Sequence, residues 1–385
     1  MVSIGLIERM MLTRTQESGE NSSSSSIVVR KEAKPTVIDG RDYIYSVAVL
    51  ADGKHVMSGG REGKIRHWLI KSGEETGAAM DAGSSVLSIA VSRDGKVIVS
   101  GMADGRVTVW NADAHSQVTE FKAHGKFVRA VDISPDGTKI ATGSHDYTAC
   151  VWSLSTSKRL LGPLRHKFWV AAAKFSPDGR LIATATWDRD SVRVYDSQNG
   201  SLVVDFPVKV NSALNQSLAW ASDSRQLFVL SHTGYIYRVD LLAKTTLSQW
   251  HIHSGNSPAC IALASNGTFI AASAHSSVSF WDTTTREQIG TVIEHTHSVE
   301  SMAMSSNYDL VTSGEKIITL RALCGILPSH YLDSAIESQT ALLAIADPLL
   351  QEIQHTEAEK VEDNPSTFIC TLIPVSDTHD HQTKE

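Results

Sequence analysis

Residues 124–153 read HGKFVRAVDISPDGTKIATGSHDYTACVWS, and this stretch decides the fold. Strands are predicted over 127–133, 138–142 and 148–153, where Val131, Ile133, Ile140 and Val151 supply apolar positions with the period of half-buried strands. Ser-Pro-Asp-Gly and His-Asp-Tyr separate the three segments, and both favour tight turns. A fourth, outer strand is predicted near 159–161. One small sheet of this kind cannot cover both of its faces, so copies of it must stack.

The same unit recurs seven times along the chain. The Asp or Asn of the first turn recurs at spacings of 42, 42, 42, 45, 43 and 41 residues. These turn residues are Asp52, Asp94, Asp136, Asp178, Asp223, Asn266 and Asn307. A second marker, most often Trp, follows in step: Trp68, Trp110, Trp152, Tyr195, Val239, Trp281 and Leu320. A repeat of about 40–45 residues that ends near a Trp is typical of a β-propeller. We therefore predict an all-β protein with a seven-bladed propeller over 34–322.

The segments on either side of the repeats differ from them in composition. Residues 1–33 contain Asn21 followed by five serines, and such a run predicts a flexible, disordered arm. Residues 323–385 form an acidic tail, with eleven acidic and two basic residues from 333 onwards. Amphipathic patterns in this tail predict helices near 331–346 and 348–360.

Bulk composition narrows the classes of partner and the compartment. No apolar run reaches the roughly 18 residues that a membrane span needs, so no membrane contact is expected. The four cysteines show no C-x-x-C spacing, which favours an intracellular location, cytoplasmic or nuclear. The net charge of −7 comes from the tail, and the repeats carry no basic excess. We therefore expect no nucleic-acid partner.

The sequence shows no catalytic or metal-binding motif. Its sixteen histidines include His-x-His pairs at 251–253, 295–297 and 379–381, which would place two rings on one face of a strand. No neighbouring set of Cys, Asp or Glu completes a tetrahedral site. Glycine-rich phosphate loops, H-E-x-x-H and G-x-S-x-G do not occur. We expect no catalytic residue, no metal site and no cofactor, and we predict that the chain is not an enzyme.

The third repeat resembles a WD40 repeat, through His124, Thr142, Asp146 and Trp152. The resemblance implies that these four side chains, the blade staple, form a buried hydrogen-bonded chain. The chemistry is reasonable, because a buried Asp needs donors and an indole N–H needs an acceptor. The first, second and sixth repeats keep the Trp without the His, whereas the seventh keeps His295 and loses the Trp.

The resemblance also implies how the ring closes. Residues 36–39 precede the first strand of the first repeat, and the seventh repeat supplies three strands over 299–322 with no clear fourth. The segment 36–39 is therefore expected to complete the seventh blade. Such a closure would pair two otherwise open sheet edges.

Partner contacts in WD40 proteins often come from three positions per blade on the top face, and the resemblance carries these positions onto this chain. The large side chains that result lie on the first, third and fourth blades: Tyr43, Tyr45, Arg61, Phe127, Arg129, His145, Trp169 and Trp187. Trp, Tyr and Arg are favoured at the energetic centres of interfaces. The alternative for Trp169 and Trp187 is that they pack between blades, as large aromatic residues often do.

Three functions remain open at this level. The first is a non-enzymatic scaffold that binds a peptide or protein partner on the top face. The second is a substrate adaptor or a structural subunit of a larger complex, tethered through the tail at 342–353. The third is a propeller with a small-molecule or enzymatic site at the channel mouth. The fold alone does not decide among them.

Overall fold

The computed structural model describes residues 34–186, 192–208, 217–231, 233–252, 260–323 and 326–332. Within these residues the chain forms 28 strands in seven four-stranded sheets. Neighbouring strands within each sheet pair antiparallel, and the sheets follow one another along the chain. The seven-bladed β-propeller predicted from the period is therefore confirmed.

The strands of the first four blades follow directly from the repeat. Blade 1 contains β2 (Ile44–Val49), β3 (His55–Gly60), β4 (Lys64–Leu69) and β5 (Met80–Asp81). Blade 2 contains β6 (Val86–Val91), β7 (Val97–Met102), β8 (Arg106–Asn111) and β9 (Ser116–Lys122). Blade 3 contains β10 (Val128–Ile133), β11 (Lys139–Ser144), β12 (Thr148–Ser153) and β13 (Arg159–Arg165). Blade 4 contains β14 (Val170–Phe175), β15 (Leu181–Thr186), β16 (Val192–Asp196) and β17 (Leu202–Phe206).

The remaining blades keep the same order. Blade 5 contains β18 (Leu218–Trp220), β19 (Gln226–Leu230), β20 (Tyr235–Asp240) and β21 (Thr245–His251). Blade 6 contains β22 (Ile261–Leu263), β23 (Phe269–Ala274), β24 (Ser277–Asp282) and β25 (Gln288–Glu294). Blade 7 contains β26 (Ser301–Met304), β27 (Asp309–Gly314) and β28 (Ile317–Ala322), and its outer strand is β1 (Thr36–Asp39).

The outer strand of blade 7 comes from the other end of the repeats. β1 pairs antiparallel with β28, with Val37 opposite Thr319 and Ile38 opposite Ile318. Ile38 is buried between blades 7 and 1, whereas Val37 is 59% exposed. The seventh sheet thus joins the two ends of the ring through backbone pairing and one buried side chain.

The core lies between blades, as the alternation of apolar residues requires. Between blades 2 and 3, for example, Val109 packs with Ile140 and Trp152, and all three are buried. Burial of an aliphatic side chain of this size contributes about 1.5–3 kcal/mol. Serine hydroxyls add cross-blade hydrogen bonds: Ser46 accepts from the N–H of Ile89 at 3.0 Å.

One sequence marker is corrected by the strand register. Leu320 was predicted to occupy the Trp position of blade 7, but Arg321 holds that position, opposite Leu310, as Trp152 lies opposite Ile140. Both hairpin turns of the seventh repeat are one residue shorter than those of the third. Trp152 follows Asp136 by 16 residues, whereas Arg321 follows Asn307 by 14, so the regular spacing does not locate this position.

The chain beyond blade 7 returns to pack on blade 6. Ile326, Leu327 and Leu332 are buried against this blade, and the Tyr331 hydroxyl donates to Asp282 Oδ2 at 2.6 Å. A 3₁₀ helix, Ser329–Tyr331, is the only helix among the described residues. The tail helices predicted at 331–346 and 348–360 fall almost wholly outside the described residues, as does the arm 1–33. No helix in the described part of the chain has the length and apolar content to span a membrane.

Candidate protein-interaction surface

The blade staple of the third blade holds its b–c turn in place. His124 Nε2 lies 2.7 Å from Thr142 Oγ1, and His124 Nδ1 lies 3.0 Å from Asp146 Oδ2. The Trp152 indole donates to the same Thr142 hydroxyl at 2.9 Å. Burial opposes ionisation of Asp146, but hydrogen bonds from His124 and Thr148 outweigh it and hold the Asp146 pKa well below its usual range. This turn carries His145 onto the top face.

Three rings form an aromatic ladder on the top face of blades 3 and 4. The Phe127 and His145 ring centroids are 5.2 Å apart, and those of His145 and Trp169 are 4.4 Å apart with an angle of 9° between the planes. Phe127 is 47% exposed, whereas the other two rings are half-buried. Burial, assisted by the charge of Arg129, lowers the pKa of His145 to about 4, so the imidazole is neutral at pH 7. The ladder therefore presents stacked neutral rings to solvent.

Trp169 and Trp187 were both predicted on the top face of blade 4, but the structure describes only Trp169. Trp169 contacts a ring of the neighbouring blade, yet it does so on the top face rather than within the apolar core. This ring contact with the neighbouring blade is a packing contact, and a role of Trp169 in partner binding stays a prediction. Trp187, in contrast, lies outside the described residues.

A second cluster lies on blades 1, 3 and 7. The Tyr43 and Tyr45 rings are 5.4 Å apart, and the Tyr43 hydroxyl donates to Glu300 Oε1 at 3.5 Å. Burial lowers the pKa of Arg129, and the field of Glu300 opposes that shift. Burial likewise raises the pKa of Glu300, against the field of Arg129. These four side chains, the mouth cluster, therefore combine two tyrosines with a partly desolvated pair of opposite charges.

Arg61 extends the mouth cluster over blade 1. Its backbone N–H donates to the carbonyl oxygen of Tyr43 at 2.8 Å, and its side chain is exposed. The neighbouring residue must be Gly60, because a Cβ there would lie 1.8 Å from the same carbonyl oxygen. This close approach fixes the position of Tyr43 relative to the turn.

The channel interior contains two charged residues in an otherwise small-residue ring. Asp132 and Lys174 occupy equivalent positions on β10 and β14, and the other five blades carry Ala48, Ala90, Ala219, Ala262 and Ala303 there. They line a cavity of about 430 Å³. Burial raises the pKa of Asp132 to about 6 and lowers that of Lys174, and each charge opposes the other's shift. Asp132 Oδ2 also accepts the N–H of Phe175 at 2.7 Å, which ties blade 3 to blade 4.

The sequence prediction missed Glu300, Asp132 and Lys174. Glu300 lies five residues after His295, as Arg129 lies five residues after His124. Extending the family positions to the seventh repeat would therefore have found it. The charged pair in the channel needed the strand register, since only alignment with five alanines sets it apart.

The described residues contain no group of three or more His, Cys, Asp or Glu that could hold a metal ion. Of the His-x-His pairs, His295 and His297 are both described, and His297 Nδ1 lies 3.1 Å from Glu315 Oε2. The pair at 379–381 lies outside the described residues, as does His253.

Seven four-stranded antiparallel sheets that follow one another along the chain define a seven-bladed β-propeller. The family profile described as WD domain, G-beta repeat matches residues 34–68, 79–111, 115–153 and 158–196. The four matched repeats and the seven-bladed fold, whose remaining three blades are built on the same plan, support a WD40-repeat family protein. No curated protein matches the chain as a relative. Propellers of this family generally serve as protein-interaction scaffolds.

Proposed function

We propose that this chain is a non-enzymatic scaffold that binds a protein or peptide segment across the top face. The segment lies over the aromatic ladder of Phe127, His145 and Trp169 and reaches the mouth cluster. The observation that carries this proposal is the parallel stacking of the His145 imidazole on the Trp169 indole, with 4.4 Å between the ring centroids. Two half-exposed rings held in that geometry form a rigid apolar platform without further ordering on binding.

The charges beside the ladder favour a particular kind of segment. Arg129 and Glu300 are both partly desolvated and close enough to shift each other's pKa. A segment with an apolar or aromatic anchor next to a polar pair would match both parts of the surface. Exposed Arg61 adds a positive rim on the blade 1 side. A uniformly charged partner would leave one member of the Arg129–Glu300 pair uncompensated.

Affinity capture with matched variants tests the proposal. Phe127→Ala and Trp169→Ala each remove one ring of the ladder, and Val118→Ala is the control because Val118 is 63% exposed on the outer strand β9. We expect the two ladder variants to lose the interacting protein at least tenfold, as an interface hot spot does. The control should retain it. Circular dichroism and thermal midpoints must match the wild type for the comparison to hold.

A second candidate function, an adaptor tethered through the tail, rests on the return of the chain to blade 6. Asn266 Nδ2 donates to the Tyr331 carbonyl at 3.1 Å, and Leu332 is buried. The segment 326–332 is thus anchored on blade 6 by this hydrogen bond and by buried apolar side chains. Removing 333–385 separates the two candidates: the scaffold keeps its partner, whereas the adaptor loses assembly with the larger complex.

A further inference from the structure

The seventh blade keeps part of the blade staple and loses its indole. Arg321 lies opposite Leu310, in the register where Trp152 lies opposite Ile140 in blade 3. By the same register Thr312 occupies the position of the staple hydroxyl of Thr142. His295 precedes the first strand of this blade as His124 does in the third.

In the first three blades an indole fills this position. It packs on the face towards the preceding blade and donates to a hydroxyl on the second strand. The pairs are Trp68 to Ser58 at 2.7 Å, Trp110 to Ser100 at 3.0 Å and Trp152 to Thr142 at 2.9 Å. These three tryptophans are at most 7% exposed, so the position is a well-formed indole site in this protein.

In blade 7 the corresponding face is a cleft of about 340 Å³. Its walls include Val299, Thr312, Ile317, Thr319 and Arg321, and Val37 of β1 closes the outer side. An engineered apolar cavity of roughly 150 Å³ already accepts benzene, so an aromatic ring fits a space of this size. The cleft therefore lies where the repeat places its own indole in other blades.

The polar groups in the cleft suit a neutral ring with one donor. His295 Nε2 is buried and has no hydrogen-bond partner among the described residues, whereas His124 Nε2 lies 2.7 Å from Thr142 Oγ1. Burial, with help from the charge of Arg321, lowers the pKa of His295 to about 4, so this imidazole is neutral at pH 7. A guanidinium lining the cleft favours an aromatic face. Glu294 in the wall disfavours an acidic ligand.

We propose that this cleft binds an aromatic side chain of a partner protein, with tryptophan as the best fit. The incoming indole enters the cleft beside Arg321, its N–H donates to the Thr312 hydroxyl, and its face lies against the Arg321 guanidinium. The site is separate from the aromatic ladder on blades 3 and 4, so it stands whether or not the top face binds a partner.

Titration with 5-fluoroindole, followed by ¹⁹F NMR, tests the site in the full-length protein. We expect saturable binding with a dissociation constant on the order of 1 mM, as befits a ligand of this size. Thr312→Val keeps the shape and removes the acceptor, so it should weaken binding about fivefold. Ser100→Ala removes the equivalent acceptor in blade 2, where Trp110 already fills the position, and should leave the dissociation constant unchanged.

Arg321→Trp restores the family side chain and fills the cleft, so it should abolish binding of the probe. Should this variant fail to fold, Thr319→Leu narrows the same cleft and should weaken binding. Absence of saturable binding at ten times the expected dissociation constant would overturn the proposal. So would binding that survives in Thr312→Val and Arg321→Trp but disappears in Trp169→Ala, since the probe would then occupy the aromatic ladder.

Discussion

The imidazole of His145 lies parallel to the indole of Trp169, with 4.4 Å between the centroids and 9° between the planes. The two rings come from different blades, so the contact depends on the stacking of blade 3 against blade 4. His145 is placed by the b–c turn that the staple Asp146 holds. The top-face platform is thus coupled to the hydrogen bonds that stabilise the third blade.

The pKa of His145 reports this contact directly. It lies near 4, below the ordinary value of 6.5, because burial disfavours the charged ring. Trp169→Ala exposes the imidazole to water, so its pKa should rise towards 6.5. The His145 proton resonances, followed by NMR against pH, measure the change. A pKa that stays near 4 in the variant would mean that Trp169 does not shield the ring.

The hydroxyl of Thr142 is expected to be the most costly single polar group to remove in blade 3. It is fully buried and serves both His124 and Trp152. Thr142→Val keeps the shape but leaves two buried partners unsatisfied, which should lower the free energy of unfolding by about 2–3 kcal/mol.

Blade 6 offers the matched control for that substitution. The Trp281 indole donates to Ser279 on its own strand at 2.7 Å and is only half-buried. Ser279→Ala should therefore cost about 1 kcal/mol or less in urea denaturation. Equal losses for the two variants would argue against a special role of the third-blade staple.

Closure of the ring can be tested at adjacent residues of β1. Ile38 is buried between blades 7 and 1, so Ile38→Ala should lower the free energy of unfolding by about 2–4 kcal/mol. Val37→Ala, at an exposed position of the same strand, should change it by about 0.5 kcal/mol or less. Indistinguishable denaturation curves for Ile38→Ala and the wild type would show that β1 does not hold the ring closed.

The channel pair gives stability a defined pH dependence. The pKa of Asp132 in the folded chain is about 6, above its ordinary value of 3.8, so its contribution is lost as pH rises through 6. Lys174 opposes that rise in pKa. Lys174→Ala should therefore destabilise the fold more at pH 7 than at pH 4.

The double variant Asp132→Ala with Lys174→Ala checks the same pair. It gives the channel position alanine in every blade and should flatten the difference between pH 4 and pH 7. Denaturation midpoints at both pH values measure this. A pH dependence equal to that of the wild type in Lys174→Ala would contradict the coupling.

The sequence predicts the fold well because the period constrains every blade in the same way. Alternating apolar residues and turns with Asp-Gly are needed wherever a four-stranded sheet must stack on two neighbours. The resemblance to WD40 repeats also singled out Phe127, His145 and Trp169 as candidates, by their positions relative to the His and the turn Asp of the repeat. The structure adds that these three rings contact one another in a row, with His145 stacked on Trp169 and Phe127 tilted against His145.

The features that could not be predicted from the sequence depend on how the strands pair and on how the ring closes. The seventh repeat has two shortened turns and an arginine at the Trp position, so neither the spacing nor the residue type marks Arg321 in the sequence. The pairing of Tyr43 with Glu300 joins residues 257 positions apart and follows only from closure of the ring. Asp132 and Lys174 are ordinary strand residues until the five equivalent alanines are placed beside them.

Site-specific photo-crosslinking is the direct test of whether a protein partner lies over the aromatic ladder. A benzoylphenylalanine at position 127 stands on the exposed end of the aromatic ladder, and the same group at position 118 stands on the outer strand β9. We expect a crosslinked protein partner from position 127 that is lost when Trp169→Ala is added, and none from position 118. A partner crosslinked equally from position 118, or one from position 127 that persists without Trp169, would contradict it.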